Sequence, residues 1–190
     1  MVVVPHFFFL LLALLSSACS AASLDECQSL YGAYEAFDGP NWSTSDNWPS
    51  ARELVDDSCC MWMGVTCSET ILWKVDLRSN QLSGPIPEGL FSDLKELTSV
   101  YLYNNQLSGP LPERLFDGLT KMIDVELTNN QLSGPLPERL FGNLMELSIV
   151  SATLRLPPFS SLSVYLPPST RCGYEQISCL DHSQKASLIT

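Results

Sequence analysis

The sequence predicts an α/β solenoid: short coils, each made of one strand and an extended return, stacked between two capped ends. Three observations carry this. The hexapeptide Asn-Gln-Leu-Ser-Gly-Pro begins at Asn80, at Asn105 and at Asn130, a constant spacing of 25 residues in a 190-residue chain. A fixed period of about 20 to 50 residues is the mark of stacked coils, because one such unit cannot bury its own apolar edge. Apolar residues fall on the same period: Val75, Val100, Val125; Leu77, Leu102, Leu127; Leu82, Leu107, Leu132; Phe91, Phe116, Phe141; Leu94, Leu119, Leu144. Cysteines stand before and after the repeats and never within them.

Residues 1–22 read as a secretory leader. Residues 7–15 are a short apolar block, followed by small residues that allow cleavage after Ser20 or Ala22. The block is too short to cross a bilayer as a helix. Leu15-Ser-Ser-Ala-Cys19 faintly resembles a bacterial lipid-attachment site, but Ser16 stands where that pattern has an aliphatic residue. The mature chain is therefore expected to be secreted and extracellular.

Residues 23–70 are expected to cap the first coil. Ser23 followed by Glu26 forms a capping box, and Leu24, Cys27, Leu30, Tyr31, Tyr34 and Phe37 recur at helical spacing. Gly39-Pro40 ends that helix. Trp42, Trp48 and Trp62 are expected to cover the open strand edge of the first coil. Asn41-Trp42-Ser43 is a glycosylation sequon, which marks Asn41 for a glycan in a secreted chain.

Residues 71–152 hold three full repeats and a partial fourth. From Ile123 to Thr128, Val125 and Leu127 alternate with Asp124, Glu126 and Thr128, the period of a half-buried strand. Asn130 then closes the turn, its amide able to serve both N–H and C=O groups of the bent backbone. Gly134, Pro135 and Pro137 keep the return extended, and Leu140, Phe141 and Leu144 point back to the core. A glycine and two prolines inside each unit rule out three amphipathic helices.

The run Val-x-Leu-x-x-Asn-x-Leu-x-Gly-x-[Ile/Leu]-Pro resembles the plant-type leucine-rich repeat over about residues 70–152. One feature departs from it. Leu115 and Leu119 are separated by Phe116, Asp117 and Gly118, a Leu-Phe-x-x-Leu turn similar to that of animal-type repeats. The resemblance implies a short right-handed leucine-rich-repeat solenoid with disulfide-bonded N- and C-terminal caps.

Without Cys19 of the leader, six cysteines remain, and six allow fifteen pairings. The run from Cys59-Cys60 through Trp62, Gly64 and Val65 to Cys67 resembles the plant leucine-rich-repeat N-terminal cap. That resemblance implies Cys27–Cys59 and Cys60–Cys67, which leaves Cys172 for Cys179. A four-cysteine zinc site suits the adjacent Cys59-Cys60 pair badly, and no metal is expected. After the third repeat the pattern fades. Leu147, Val150 and Ala152 supply a strand, but Arg155 stands where the turn Asn is due. Residues 153–180, with Pro157-Pro158 and Pro167-Pro168, are assigned to a C-terminal cap, and polar residues 181–190 to a disordered tail.

Nothing in the sequence points to chemistry. The mature part keeps one histidine, His182, and shows no Ser/His/Asp arrangement, phosphate-cradling loop or ligand-spaced His/Cys cluster. Neither an enzyme nor a cofactor is expected. Lys+Arg 10 against Asp+Glu 21, a formal charge of -11, repels nucleic-acid backbones.

Function then falls to the strand face, the usual binding surface of a solenoid. Down the stack its outward columns read Lys74, Ser99, Asp124, Ile149; Asp76, Tyr101, Glu126, Ser151; and Arg78, Tyr103, Thr128, Thr153. The turns hardly change between repeats, whereas these columns do. Tyr101 and Tyr103 are hot-spot residue types among charges, with Arg78 opposite Tyr103 as a cross-strand pair. The expected ligand is a protein, peptide or glycan, with the carboxylates favouring a basic one, as in plant receptor ectodomains or inhibitors of secreted pectin-degrading enzymes. The other function class is a structural or adhesive protein of the cell surface or matrix. No apolar run long enough for a membrane span follows, so the chain is not expected to signal as a receptor by itself.

Overall fold

The computed structural model describes residues 22–52, 55–69, 71–144, 146–152 and 154, together with the backbone of four short strands beyond them. In chain order the elements are α1 (Leu24–Ala36), β1 (Val65–Ser68), β2 (Ile71–Asp76), β3 (Ser83–Pro85), β4 (Ser99–Tyr101) and β5 (Gln106–Gly109). β6 (Asp124–Leu127), β7 (Gln131–Leu132), β8 (Ile149–Ala152), β9 (Ser163–Tyr165), β10 (Arg171–Cys172), β11 (Ile177–Leu180) and β12 (Lys185–Leu188) follow.

Helix α1 begins where its capping box requires. Glu26 N donates to Ser23 Oγ at 3.2 Å, and Ser23 N donates to Glu26 Oε2 at 2.8 Å. Cys27, Leu30, Tyr31, Tyr34 and Phe37 are buried, but Leu24 lies on the solvent side. A 3-10 turn over Gly39–Asn41 replaces the helix after Asp38, whose φ of 60° is left-handed. At Gly39 only a hydrogen fits, because a Cβ would stand 2.3 Å from the Tyr34 ring.

The tryptophans do something other than expected. Trp42, Trp48 and Trp62 stack inside the cap against Tyr31 and Tyr34, with Trp48 and Trp62 centroids 4.7 Å apart. Their indole N–H groups are served by backbone, Trp42 Nε1 by Phe37 O and Trp48 Nε1 by Met63 O, both at 2.9 Å. The open edge of the first coil is covered by backbone instead. β1 runs antiparallel to β2, with Val65 opposite Val75, and so satisfies the edge directly. Disulfides Cys27–Cys59 and Cys60–Cys67 tie α1 and β1 to the segment between them. The bridge expected between Cys172 and Cys179 lies outside the residues whose side chains are described, as do the leader residues 1–21 and Arg155.

The repeats form a parallel sheet of β2, β4, β6 and β8 in which every strand steps one coil. Val75 pairs with Val100, Val100 with Val125 and Val125 with Val150. β1 and β10 extend it to six strands in the order β1-β2-β4-β6-β8-β10. At ~4.8 Å per strand the sheet is about 24 Å along the stack. The returns are extended but also pair with one another: β3, β5 and β7 form a second parallel sheet. Gly84, Gly109 and Gly134, at φ 94°, 77° and 81°, make the left-handed bend in each return.

Between the sheets and the outer turns lies the core. The valine, leucine and phenylalanine columns are all buried, Phe91, Phe116 and Phe141 among the largest side chains with no solvent contact. Each such side chain contributes about 1.5–3 kcal/mol through burial. The Leu-Phe-x-x-Leu segment is a hydrogen-bonded turn, Leu94 N to Phe91 O, Leu119 N to Phe116 O and Leu144 N to Phe141 O. Phe116 stacks on Phe141 at 5.8 Å.

An asparagine ladder closes the inner turns. Asn105 Oδ1 accepts from Asn80 N at 2.9 Å and Leu82 N at 3.0 Å. Its Nδ2 donates to Leu77 O at 2.8 Å and Leu102 O at 2.9 Å. One side chain thus serves the backbone of two coils. Asn80 has no coil before it and binds the cap instead, accepting from Thr44 N at 2.6 Å and donating to Thr44 O at 2.8 Å.

Past residue 154 the backbone of four short strands is described. Lys185–Leu188 is a strand, antiparallel to both Ile177–Leu180 and Ser163–Tyr165. Lys-Ala-Ser-Leu alternates polar and apolar residues, a strand signal too short to stand out beside the polar composition around it.

Candidate ligand-binding face

Strand register brings the outward columns together as side-by-side rows. Lys74, Ser99, Asp124 and Ile149 stand opposite one another, as do Asp76, Tyr101, Glu126 and Ser151. Arg78 and Tyr103 lie just beyond the strand ends and touch across one coil. Arg78 Nη1 donates to the Tyr103 hydroxyl at 2.7 Å, and its guanidinium lies 5.6 Å from the ring centroid. Thr128 is the next residue of that column and half-buried, and Thr153 is outside the described residues. Ser99 turns out to be buried, so it lines the floor of the face rather than its surface.

The charges are not spread evenly. Asp76 sits between two cations, with Lys74 Nζ 3.1 Å from its Oδ2 and Arg78 Nε 3.2 Å from its Oδ1. The Asp76 carboxylate side chain is only 14% exposed. Lys74 also lies 4.8 Å over the Tyr101 ring. On the far side of Tyr101, Asp124 and Glu126 form no ion pair among the described residues. The Tyr101 hydroxyl donates to Asp124 Oδ2 at 2.7 Å, while Asp124 Oδ1 is buried without a hydrogen-bond partner.

Two ionisable groups reflect this environment. Burial, and then the bond to Asp124, push the Tyr101 hydroxyl up to about 12. Burial, and next the Asp124 charge, raise the Glu126 carboxyl above its ordinary range, against the opposing pull of Arg78. Tyr101 is therefore a half-buried, anchored ring and not the loose exposed aromatic that its sequence position suggests.

The other polar features lie elsewhere. Asn41 is exposed in the cap, with its Nδ2 donating to Asp38 Oδ2 at 2.8 Å. A cleft of about 520 Å³ runs between α1 and the first outer turn, lined by Asp25, Gln28, Arg52, Glu88 and Asp93 among others. Nothing in the repeat pattern announced that cleft, because it joins the cap to one coil only.

With strand, inner asparagine turn, second sheet and outer turn repeated in register, the chain folds as a leucine-rich-repeat solenoid similar to those of plants. The family model described as Leucine Rich Repeat matches residues 72–92 and 96–117. Among solved structures the chain is similar to the BIR2 ectodomain from Arabidopsis thaliana, at 27% identity and TM-score 0.59, over 70% of this chain and 69% of that one. It is similar to a chain of the BIR3–SERK2 complex from the same plant, at 25% identity and TM-score 0.57, over 68% and 69% of the two chains. The Arabidopsis receptor kinase HAESA ectodomain, solved with an IDA peptide hormone, matches at 28% identity and TM-score 0.54. There the match covers 79% of this chain but only 26% of that one. No curated protein matches the sequence. The fold is that of plant receptor ectodomains, and among the described residues no helix is long and apolar enough to cross a membrane.

Proposed function

We propose that the chain is an extracellular recognition module that binds a protein or peptide across the strand face of its solenoid. The observation that carries this is the contrast between columns. Turn residues recur unchanged from coil to coil, whereas Lys74/Ser99/Asp124 and Asp76/Tyr101/Glu126, in strict register, differ at every step. Stacking does not require that variety; a shaped ligand does. Tyr101 and Tyr103 supply aromatic area already held in place by Asp124 and Arg78, which lowers the ordering cost of contact. The likeness to a HAESA ectodomain solved with a peptide hormone, and to a BIR3–SERK2 complex, supports the same class of ligand.

On this reading the module acts by binding. Its leader, its cap disulfides and the Asn41 sequon fit export, with Cys172–Cys179 closing the far end and a glycan on Asn41. The four-strand face, about 14 Å along the stack, suits a short peptide or the edge of a co-assembling protein. The test is retention of partners from native extracellular fluid by the secreted protein and by a Tyr101→Ala/Tyr103→Ala variant. A partner held by the first and lost by the second is the expected result. Equal retention by both moves the site to the cap or the outer turns, and retention of nothing by either favours a structural role at the cell surface.

A further inference from the structure

The cations that the strand face already holds reveal which chemistry it accepts. Lys74 lies over the Tyr101 ring, 4.8 Å from its centroid, with Asp76 at its side, 3.1 Å away. Arg78, four residues on, repeats the arrangement over the Tyr103 ring at 5.6 Å and beside the same carboxylate at 3.2 Å. Twice, then, a cation rests on an aromatic face against a carboxylate, a pairing in which ring quadrupole and anion attract the same charge.

One coil further the carboxylates recur and the cations do not. Asp124 and Glu126 stand in register beside Ser99 and Tyr101, and among the described residues neither has an ion-pair partner. Ile149 follows Asp124 in its row and Ser151 follows Glu126, so the next strand brings no positive charge to them in that register. Asp124 Oδ1 is buried and accepts no hydrogen bond, and its other oxygen is tied to Tyr101. Two like charges so placed repel each other, and burial adds to the cost of ionising Glu126. A positive charge arriving from outside would offset both. The chain as a whole, at -11, also draws such a partner in.

Resting on the strand-face function proposed above, we propose that the Asp124/Glu126 half of the face takes a cationic side chain, Lys or Arg, of an extended basic peptide, seated beside Tyr101. Charge complementarity selects the occupant: the first half of the face sets Lys74 and Arg78 against the one carboxylate of Asp76, and the second half sets two carboxylates against no cation of its own. An acidic or neutral peptide would leave Asp124 and Glu126 as they are.

The experiment is a selection of random dodecapeptides on the immobilised full chain. Affinities of the winners are then measured for four proteins. These are the natural chain, Asp124→Asn/Glu126→Gln, Tyr101→Ala/Tyr103→Ala, and a control with the same charge change on the outer turns, Glu113→Gln/Glu138→Gln. Lys or Arg enriched in the winners is expected, with at least about a ten-fold loss of affinity in the first two variants and little change in the control. Loss in the tyrosine variant alone, or winners without basic residues, overturns the cation site and leaves the face standing. Equal loss in the control reduces the attraction to net charge and overturns the site as well. Winners indifferent to both face variants, or no winners, overturn this inference and the strand-face function together.

Discussion

The two long edges of each coil obey different rules. On the turn edge, Asn80, Asn105 and Asn130 recur without change, because each amide completes backbone that the coil's bend strips of partners. On the strand face, side chains at the same period bond to one another, as Lys74 to Asp76 and Tyr101 to Asp124, and they change at each step: Asp76, Tyr101, Glu126. Repetition in a solenoid therefore marks where the fold is held, and divergence marks where it is free to recognise something. The predictions below probe that contrast from the larger effect to the smaller.

Asn105→Ala should cost most. It orphans Asn80 N, Leu82 N and Leu77 O in one step, while Leu102 O keeps its bond from Asn130 Nδ2, and with about 1–3 kcal/mol per buried group we expect about 3 kcal/mol or more in thermal or urea unfolding. Asn130→Ala, in a half-buried turn one coil later, should cost less, about 2 kcal/mol. The neighbouring Asn104 is the control, with one refinement from the structure. Its φ of 57° is left-handed, so alanine would add backbone strain, and Asn104→Gly is the cleaner change. It should stay within about 0.5 kcal/mol. Equal losses at 104 and 105 would sink the ladder account.

Tyr101→Ala/Tyr103→Ala should cost about 1 kcal/mol, since both rings are half-buried on the face and neither enters the core columns. A loss as large as that of Asn105→Ala would mean that the face is part of the frame.

The smallest effects are in pH. Glu126 has a folded-state pKa above its unfolded value, so the stability it lends is present below the unfolded value and lost as pH rises through the folded one. At neutral pH its charge is a cost. Glu126→Gln should therefore raise the melting temperature slightly at pH 7 and not at pH 4. Tyr101, at about 12 against an ordinary 10.0, has the same sign at the alkaline end. Stability should begin to fall near pH 10 and keep falling to about pH 12, a decline that Tyr101→Phe reduces. A flat profile in the natural chain would contradict the buried hydroxyl.

Much of this was legible in the sequence. The period located the strands, the core columns and the ladder, since each is dictated by burial within one unit. The outward columns and the Arg78–Tyr103 pair followed from simple alternation. What escaped was contact between unlike elements. That β1, not the tryptophans, closes the first edge depends on a hairpin whose residues carry no repeat signal. The second sheet arises only once three returns lie side by side. Ser99 reads as outward yet is buried, and the anchoring of Tyr101 depends on Asp124 of the next coil, 2.7 Å from its hydroxyl.

The most direct test of the central claim is hydroxyl-radical footprinting of the full chain with and without a peptide selected on it. Oxidation of Tyr101 and Tyr103 should fall at least about five-fold on binding, while Met61 and Met63, exposed on the cap, should react as before. Unprotected tyrosines with protection at those methionines would contradict it.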